Sequence, residues 1–314
     1  MNIKQLGGEF ALIDRIARPA RRPEVLVGIG DDAAVVRHEG GNLVLTTDMI
    51  CEGDHFSRDY FKPEQIGIKA MMSNLSDIAA MGARPLYALV SLALTRDVDV
   101  ETVEGFYRGL HRAADPYQVD IIGGDITHTG TMVVCLTVIG ESPTEAIRGR
   151  DGARPGDVIK VTGTLGGSTA GLKLFLKDVP GHEPVKLKHT EPVCRLDISD
   201  RVAGLANAME DVSDGLASEV RNICLRSGVG AVIDYGKIPI DPAVEAAARV
   251  LGDDARDYAL YGGEDFELTY TVTPDRAAAA PGFEVGIIVE GEGVVLKKGE
   301  EKIKLTRFGY DHFA

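Results

Sequence analysis

The sequence predicts an α+β protein built from two domains. Its 314 residues are more than one small hydrophobic core requires. Apolar β-branched runs, typical of strands, are interspersed with segments of helical spacing throughout the chain. A polar segment with several prolines and glycines, residues 141–155, separates two such series. We therefore place an N-terminal domain at residues 1–142 and a C-terminal domain at residues 143–314.

The first half contains a short helix, then four strands and two long helices. The short helix is predicted at Glu9–Ile16. Apolar runs predict the strands at Leu43–Thr47, Tyr87–Leu94, Val119–Ile122 and Met132–Ile139. Helical spacing of apolar residues predicts the long helices at Ile66–Met81 and Glu101–Ala114. We expect Asp48 at the exit of the first strand and Gly124-Asp125 just beyond the third.

The second half begins with a strand at Asp157–Thr162 that leads into a glycine-rich loop and a helix capped by Ser168. Residues 181–192 are rich in His, Lys and Pro and are predicted to be a mobile connection, a possible lid over a substrate. Further helices are predicted at Cys194–Asn207, Leu216–Arg226 and Pro242–Leu251. Further strands are predicted at Ala231–Asp234, Phe266–Thr273 and Glu284–Val289, followed by a hairpin at Gly291–Gly293.

The bulk composition excludes several functional classes. A formal net charge of −14 argues against non-specific nucleic-acid binding, which needs a basic surface. No apolar run approaches the roughly 20 residues of a membrane helix, and the N-terminus does not resemble a signal peptide. Four widely spaced cysteines form no Cys-x-x-Cys pair and are expected to be small buried residues. We therefore expect a cytoplasmic protein without membrane or nucleic-acid partners.

Five acidic motifs carry most of the functional information. They are Gly-Ile-Gly-Asp-Asp at 28–32, Thr-Thr-Asp at 46–48, Asn-Leu-Ser-Asp at 74–77, Gly-Gly-Asp at 123–125 and Asp-Val-Ser-Asp-Gly at 211–215. Carboxylates that lie close together repel, so a folded protein gathers them mainly to bind divalent cations. Mg²⁺ prefers oxygen ligands and is usually shared with substrate phosphates. The motifs therefore point to phosphate chemistry that depends on Mg²⁺.

Four of the five motifs also have a structural explanation, whereas Asp48 at the end of a buried strand is harder to explain without a metal. Asp31 and Asp32 could cap a turn, and Asp77 could be a surface carboxylate with a local ion pair. Gly124-Asp125 could be a plain tight turn, and an aspartate in the 211–215 motif could cap the following helix. Any one motif would be weak support for a metal site. Five in one chain argue against independent capping.

The remaining candidates are polar residues outside these motifs. Arg150, at the predicted domain junction, could donate to a nucleotide phosphate or form an interdomain salt bridge. His55 is a lone histidine of the kind that is usually structural. Glu264 and Asp265 could bind a cationic substrate or a metal, or form a polar turn. The Walker A, dinucleotide-binding and protein-kinase motifs are all absent.

Taken in order, the motifs resemble those of the thiamine-monophosphate kinases over nearly the whole chain. To the acidic motifs the resemblance adds the shorter strings Gly-Glu-Phe at 8–10 and Gly-Asp-His-Phe at 53–56. It also includes Gly-Arg-Asp-Gly-Ala-Arg-Pro-Gly-Asp at 149–157, Gly-Gly-Glu-Asp-Phe-Glu-Leu at 262–268 and Gly-Tyr-Asp-His-Phe at 309–313. A match of this length and order is far more specific than any single string.

The resemblance implies a fold and a reaction. The fold is PurM-like, shared with aminoimidazole ribonucleotide synthetase, selenophosphate synthetase and the hydrogenase maturation factor HypE. In that fold the N-terminal sheets pair across a homodimer, the C-terminal domain is an α/β sandwich, and ATP lies in an acidic groove. The implied reaction is the ATP-dependent phosphorylation of thiamine monophosphate to thiamine diphosphate, assisted by several Mg²⁺ ions.

The resemblance also implies roles for particular residues. The Mg²⁺ ligands would be Asp32, Thr46, Thr47, Asp48, Asp77, Asp125, Asp211 and Asp214. The ATP contacts would be Tyr107, Gly124, Asp125, Arg150 and Ser213. The thiamine moiety or its phosphate would contact His55, Glu264 and Tyr310. Asp31 and Asp265 adjoin matched positions and could share the roles of their neighbours.

The implied reaction needs no catalytic base. The nucleophile would be the substrate's own phosphate, whose second pKa of about 6 leaves it largely ionised at pH 7. We therefore expect direct in-line transfer, with no phosphoenzyme and no catalytic side chain beyond the metal ligands. The alternatives are another enzyme of this fold, such as a selenophosphate synthetase or a HypE-like protein, and a non-catalytic nucleotide- or metal-binding protein. The former lacks support because no cysteine precedes Cys51 and the sequence ends Asp-His-Phe-Ala.

Overall fold

The computed structural model of the protein describes residues 3–142, 147–310 and 312, apart from the side chains of Phe10 and Asp14. Two mixed sheets organise these residues. The helices are α1 Ile3–Leu6, α2 Glu9–Ile16, α3 Pro63–Ala80, α4 Val100–Ala114, α5 Gly167–Leu176, α6 Glu183–Thr190, α7 Ser199–Ala203, α8 Leu216–Ser227, α9 Pro242–Leu251, α10 Ala255–Tyr261 and α11 Pro274–Ala277. The strands are β1 Val25–Val27, β2 Ala34–His38, β3 Gly41–Cys51, β4 Arg84–Leu94, β5 Asp120–His128, β6 Val133–Ser142, β7 Val158–Val161, β8 Ala208–Asp211, β9 Gly230–Asp234, β10 Leu268–Val272, β11 Phe283–Val289, β12 Gly293–Lys298 and β13 Glu301–Lys304.

The first sheet contains six strands in the order β1-β2-β3-β6-β4-β5. Its longest pairing is antiparallel, between β3 and β6, from Asn42 opposite Ser142 to Cys51 opposite Val133. Residues on these two strands alternate between buried and less buried positions, which is the pattern of a sheet covered on one face. The covering layer is α3 and α4, whose buried residues share one core with the sheet.

The second sheet contains seven strands in the order β13-β12-β9-β11-β7-β10-β8. Helix α8 packs on its β9 and β12 strands, and α5, α6, α9 and α10 form a second helical layer. This sheet lies wholly C-terminal to residue 157, and the first sheet wholly N-terminal to residue 143. Residues 143–146, where the predicted domain boundary falls, lie outside the described residues.

Helix α3 connects the two halves of the molecule. Pro63 occupies its first turn, where a missing N–H costs no hydrogen bond, and the Gln65 side chain accepts from the Lys62 N–H. Most residues of this helix are buried on all sides, and Ala79 and Ala80 share a core with Met209 of β8. Because α3 contacts both sheets, its polar residues lie between them.

The structure corrects several sequence predictions in the first half. β3 continues through Asp48 to Cys51, since β6 pairs with it along its whole length, so Asp48 lies inside the strand and not at its exit. Gly124 and Asp125 likewise lie inside β5, opposite Val90 and Ser91 of β4. Strands β1 and β2 were not predicted, because the short runs that form them carry weak periodicity.

In the second half, residues 181–192 do not form an irregular connection. They contain α6, which buries Val185 and His189 against its neighbours. The predicted helix at 194–207 shrinks to α7, and Ser168 does not cap α5: the Asp265 carboxylate accepts from Gly166 N–H at 2.5 Å and Ser168 N–H at 3.1 Å. The final hairpin joins β12 and β13 and therefore follows the predicted position.

Two further observations bear on the composition. None of the helices in the described part of the chain has both the length and the hydropathy needed to cross a membrane. Cys51, Cys135, Cys194 and Cys224 are free thiols, of which the last two are buried.

Candidate active site

Three aspartates from distant parts of the chain meet between the two sheets. Asp32 precedes β2, Asp77 lies in the last turn of α3, and Asp211 ends β8. One carboxylate oxygen from each lies within 4.8 Å of the others. We call these three residues the acidic cluster. Their chain separation means that only the packing of α3 between the sheets brings them together.

Hydroxyl groups orient two carboxylates of this cluster. The Thr46 hydroxyl on β3 donates to Asp77, and the Ser76 hydroxyl donates to Asp211 at 2.5 Å. These two donors fix the orientation of the carboxylates but bring no positive charge. Asp48 lies nearby on β3, where its backbone N–H donates to Asn74 Oδ1 at 3.2 Å.

Burial raises the pKa of each member of the acidic cluster. For Asp77 the pKa lies well above its ordinary value, because the carboxylate is desolvated and is repelled by Asp48 and Asp211. The pKa of Asp211 is raised well above normal by burial and by Asp32. For Asp32 the rise in pKa from burial is opposed by Arg150. Such a group of carboxylates is either partly protonated or neutralised by bound cations.

Arg150 contacts the cluster from the domain junction. Its Nη2 lies 2.6 Å from Asp32 Oδ1 and 2.9 Å from Oε1 of Glu210, a fully buried residue on β8. The salt bridge that the sequence left open as an alternative to phosphate binding is therefore formed. Two buried oxygens, Asp32 Oδ2 and Glu210 Oε2, have no hydrogen-bond partner among the described residues.

A second layer of buried acids supports this arrangement, and the sequence did not predict it. Asn222 of α8 donates to Glu210 Oε1 at 2.9 Å and to Glu219 Oε2 at 3.3 Å. Glu219 Oε1 accepts from the Asp214 backbone N–H at 2.7 Å. Burial raises the pKa of both glutamates well above normal. The surplus of buried carboxylates thus extends from the cluster into the second domain.

A cleft of about 830 Å³ reaches Asp48, whose carboxylate repels Asp77 of the cluster. Asp48, Ser213 and Asp214 line it, and so do all three predicted substrate residues, His55, Glu264 and Tyr310. Burial raises the pKa of Asp214 to about 6, with further repulsion from Glu9. The cleft therefore connects metal-type carboxylates with the residues that were assigned to the organic substrate.

Lys69 of α3 organises the substrate end of the cleft, and sequence reasoning missed it. Its side chain is 0 % exposed, and its Nζ lies 2.7 Å from Glu264 Oε1 and 2.8 Å from Oε2. The same ammonium donates to the His55 carbonyl at 2.7 Å. One buried cation thus holds two predicted substrate residues, one from each half of the chain.

The C-terminal segment closes the same end. The Tyr310 hydroxyl donates to Asp54 Oδ1 at 2.7 Å, and His312 Nδ1 lies 2.9 Å from Asp54 Oδ2. The rings of His55 and His312 are 5.0 Å apart. Asp311 and Phe313 of the predicted terminal motif lie outside the described residues. The segment therefore contacts the predicted substrate region through Tyr310 and His312.

Within the single chain, four of the predicted metal and ATP residues are directed away from the acidic cluster, although Thr47 also lines the cleft. The Thr47 hydroxyl is turned away, because side chains alternate along β3, and donates to the Leu136 carbonyl at 2.9 Å. Gly124 and Asp125 lie on β5, which β4 and β6 separate from β3. Tyr107 packs on α4 against Phe106, with ring centres 5.6 Å apart.

The structure distinguishes the members of the two pairs of adjacent acids, Asp31 and Asp32, and Glu264 and Asp265. Asp32 belongs to the acidic cluster, and Asp31 lies beside it, where its Oδ2 accepts from the Arg150 N–H at 3.3 Å. Glu264 lines the cleft, whereas Asp265 is turned toward the start of α5. Asp265 therefore has a structural role at this helix, and Glu264 is the residue that faces the cleft.

Both halves of the chain match known protein families. Residues 30–142 match the family described as AIR synthase related protein, N-terminal domain, and residues 154–296 match the corresponding C-terminal domain. A thiamine-monophosphate kinase of Aquifex aeolicus is 39% identical over 320 residues, covering 100% of both chains. The chain belongs to the thiamine-monophosphate kinase family.

Other members of the kinase family agree with this assignment. The thiamine-monophosphate kinase of Bacillus subtilis is 36% identical and covers 97% of this chain and 99% of its own. The solved structure of AaThiL complexed with AMPPCP and TMP superposes with a TM-score of 0.91, at 38% identity, over 100% of this chain and 99% of its own. The predicted family, the PurM-like two-domain fold and the prediction of an enzyme are therefore confirmed.

Proposed function

We propose that this protein transfers the terminal phosphoryl group of ATP to thiamine monophosphate, giving ADP and thiamine diphosphate. The observation that carries this proposal is the meeting of Asp32, Asp77 and Asp211 between the two sheets, next to a cleft that reaches His55 and Glu264. The complex of AaThiL with AMPPCP and TMP supports the choice of substrates.

Several Mg²⁺ ions fit the chemistry of the acidic residues. Every donor is an oxygen, which suits a hard cation, and two buried carboxylate oxygens lack a partner among the described residues. The ions would be held by Asp32, Thr46, Asp48, Asp77, Asp211 and Asp214. When bound, Mg²⁺ supplies charge screening for the phosphate groups of both substrates. The raised pKa values of these aspartates are what a site without its cations should display.

The residues of the chain would orient ATP beside this metal site. Arg150 lies against the cluster, and its Nε has no partner among the described residues, so the guanidinium retains donor capacity for a phosphate. Ser213 lines the cleft next to Asp214 and would donate its hydroxyl to the nucleotide. Both side chains would act by positioning and by electrostatic stabilisation.

His55, Glu264 and Tyr310 would bind thiamine monophosphate at the other end of the cleft. The thiazolium ring is a cation, and this end offers the Asp54 carboxylate, for which hydrogen bonds from Tyr310 and His312 outweigh burial and keep the pKa below its usual value. Aromatic rings stabilise such a cation further. The substrate's phosphate would then point toward the acidic cluster.

No side chain in this arrangement needs to remove a proton. The attacking group is a phosphate that is already ionised at neutral pH. We therefore propose direct in-line transfer, in which an oxygen of the acceptor phosphate forms a bond to the transferred phosphorus while the bond to ADP breaks. A phosphorylated aspartate or histidine detected during turnover would contradict this mechanism.

A homodimer would explain why Asp125 and Tyr107 lie apart from the cluster. The outer edge of β5 pairs with no described strand, and Ile122 and Ile126 on it are 57% and 61% exposed. β2 pairs with β3 only as far as Leu45, so on this side no described strand pairs with β3 from Thr46 onward. We propose that β5 of a second copy pairs with this open part and brings its Asp125 to the metal site.

A turnover assay with ATP, Mg²⁺ and thiamine monophosphate tests the proposed function. We expect the wild type to form thiamine diphosphate and Asp48→Asn to lose at least about 100-fold in kcat, because it removes a charge with little change in volume. Absence of thiamine diphosphate with the wild type would overturn the proposal. The same assay excludes a non-catalytic binding protein, and selenide in place of thiamine monophosphate tests the selenophosphate alternative. A cytoplasmic location stays a prediction.

A further inference from the structure

A buried polar network lies at the seam between the two halves of the molecule, and the proposed mechanism makes no use of most of it. Its members are Lys69 of α3, Ser168 of α5, His189 of α6 and Glu264. All four line the cleft, and the first three are 2% exposed or less. We call these four residues the seam subsite.

The hydrogen bonds of the seam subsite fix which nitrogen of His189 carries the proton. The Ser168 hydroxyl lies 3.4 Å from Glu264 Oε2, to which it donates, and 3.0 Å from His189 Nδ1. With the hydroxyl proton given to the carboxylate, the serine oxygen accepts from Nδ1–H of His189. The ring then carries its single proton on Nδ1 and leaves Nε2 as a bare acceptor.

His189 Nε2 has no hydrogen-bond partner among the described residues, although its side chain is only 2% exposed. An unpaired buried acceptor costs free energy that a ligand donor would recover. Burial and the nearby Lys69 ammonium hold the pKa of His189 well below its ordinary value, so the ring stays neutral. A neutral ring with a free Nε2 suits a ligand N–H group.

The charge of the seam subsite also favours a neutral ligand. The Glu264 carboxylate is matched by Lys69, which contacts both of its oxygens, so the pair has no net charge. Such a pair attracts a neutral hydrogen-bond donor better than a cation. The Phe61 ring lies edge-on to His189 at 5.4 Å, and Tyr60 lies next to it. The subsite therefore favours a flat, uncharged, amino-substituted ring.

We propose that the seam subsite binds the aminopyrimidine ring of the substrate, with His189 Nε2 accepting a hydrogen bond from the ring's amino group. This inference rests on the proposed function, since thiamine monophosphate is the ligand that carries such a ring. It makes His189 a residue that determines specificity and leaves the cationic thiazolium to Asp54.

Binding of two ligands to two proteins tests the proposal. The ligands are thiamine monophosphate and its analogue without the pyrimidine amino group, and calorimetry gives each Kd for the wild type and for His189→Asn. Asparagine retains a polar group near Nδ1 for Ser168 but has none at Nε2. We expect the loss of the amino group to weaken binding to the wild type about tenfold and binding to the variant less than about twofold.

Equal losses for both proteins, or no loss for the wild type, would overturn the proposal, because a merely structural role for His189 gives additive effects. His189→Gln, which keeps a polar group near Nε2, should retain part of the discrimination and serves if His189→Asn does not fold. His182→Asn, a partly exposed histidine at the N-cap of the same helix, is the matched control and should behave as the wild type. If the wild type binds the two ligands with the expected difference but forms no thiamine diphosphate, the proposed function is contradicted and the proposed subsite is not.

Discussion

Asp77 illustrates how the site depends on single residues. Its carboxylate accepts from Thr46 and is repelled by Asp48, Asp211 and Asp32, while the Arg150 guanidinium contacts Asp32. Without bound metal such a residue destabilises the fold when ionised. With metal it becomes a ligand. The same side chain therefore lowers the stability of the metal-free protein and allows metal to bind.

Asp77→Asn should raise the melting temperature of the metal-free protein and abolish activity. The amide can still accept from Thr46, and the repulsion among buried carboxylates falls. We expect a rise of about 1–2 °C, which corresponds to roughly 1 kcal/mol for a chain of this size. Scanning calorimetry in EDTA measures it. The matched control is Asp178→Asn, an exposed aspartate with a φ of 48° that asparagine also tolerates. A fall in melting temperature specific to Asp77→Asn would contradict the proposed repulsion.

Sequence reasoning found the carboxylates of the site better than their partners. Asp32, Asp77 and Asp211 stand in motifs whose repetition was itself the signal. Lys69 and His189 carry no such signal, because a lysine in a helix and a histidine in a polar segment are ordinary surface residues in most proteins. Only the packing of α3 against the second half of the chain shows that both are buried.

Strand β5 is an exposed edge strand that carries predicted site residues away from the acidic cluster of its own chain. Its residues are mostly exposed, and Gly124 fits there because a Cβ would lie 1.8 Å from the Val90 carbonyl oxygen. An exposed edge strand of this length, with two isoleucines on it, is an aggregation hazard unless another chain covers it. The proposed pairing of β5 with a partner's β3 covers the edge and completes the metal site.

Subunit complementation tests this pairing. Asp48→Asn and Asp125→Asn should each be inactive alone. If each site takes Asp48 from one chain and Asp125 from the other, mixed dimers contain one intact site. Random mixing of equal amounts should therefore restore about a quarter of the wild-type activity.

The same mixture distinguishes the alternatives. If both aspartates of a site came from one chain, mixing would restore nothing, and that result would contradict the proposed dimer. Ile126→Glu should give a monomer in light scattering and lose activity. Val100→Glu, an exposed valine at the start of α4, is its control and should leave the dimer intact.

Local patterns predicted the elements with strong periodicity and missed those defined by distant contacts. The bounds of α2 and α9 are as predicted, because their apolar spacing is local, and α9 also has a side-chain cap in Asp241. The extension of β3 to Cys51 depends on β6, some 80 residues away, which no local pattern reveals. Helix α6 was missed because its buried residues are few and its composition is polar.

At the scale of the whole molecule, part of the acidic surplus behind the net charge of −14 lies away from the surface. Glu210, Asp211 and Glu219 are buried, and the Asp32 side chain is 2% exposed. Folding of the metal-free chain therefore has to accommodate carboxylates that would be better hydrated in the unfolded state. The stability of the protein should depend on pH and on Mg²⁺ together.

Mg²⁺ should stabilise the protein more as the pH rises through about 6. Burial raises the pKa of Asp31 and Asp214 from about 3.8 to about 6, so in the metal-free protein their contribution to stability is complete below about pH 4 and is lost as the pH rises through about 6. Bound Mg²⁺ favours the ionised forms. The increase in melting temperature on adding Mg²⁺ and AMPPCP should therefore be larger at about pH 7.5 than at about pH 5. An equal increase at both pH values would contradict this linkage.

The overall architecture could be predicted only in part from the chain. The two series of strands and helices follow from the sequence pattern, and the PurM-like fold follows from the order of the motifs, whereas the domain boundary after residue 142 stays a prediction. That α3 would lie between the sheets could not be predicted, because its apolar residues occur on all sides and assign it to no single neighbour. The position of α3 is what assembles the acidic cluster.

The most direct test of the account is the location of divalent cations in crystals grown with Mn²⁺ and AMPPCP. Anomalous scattering identifies Mn²⁺, which takes the same oxygen ligands as Mg²⁺. We predict Mn²⁺ within about 2.3 Å of carboxylate oxygens of Asp32, Asp77 and Asp211, bridging them to the nucleotide phosphates. Nucleotide bound with no Mn²⁺ at these three residues would contradict the central claim that they form the metal site.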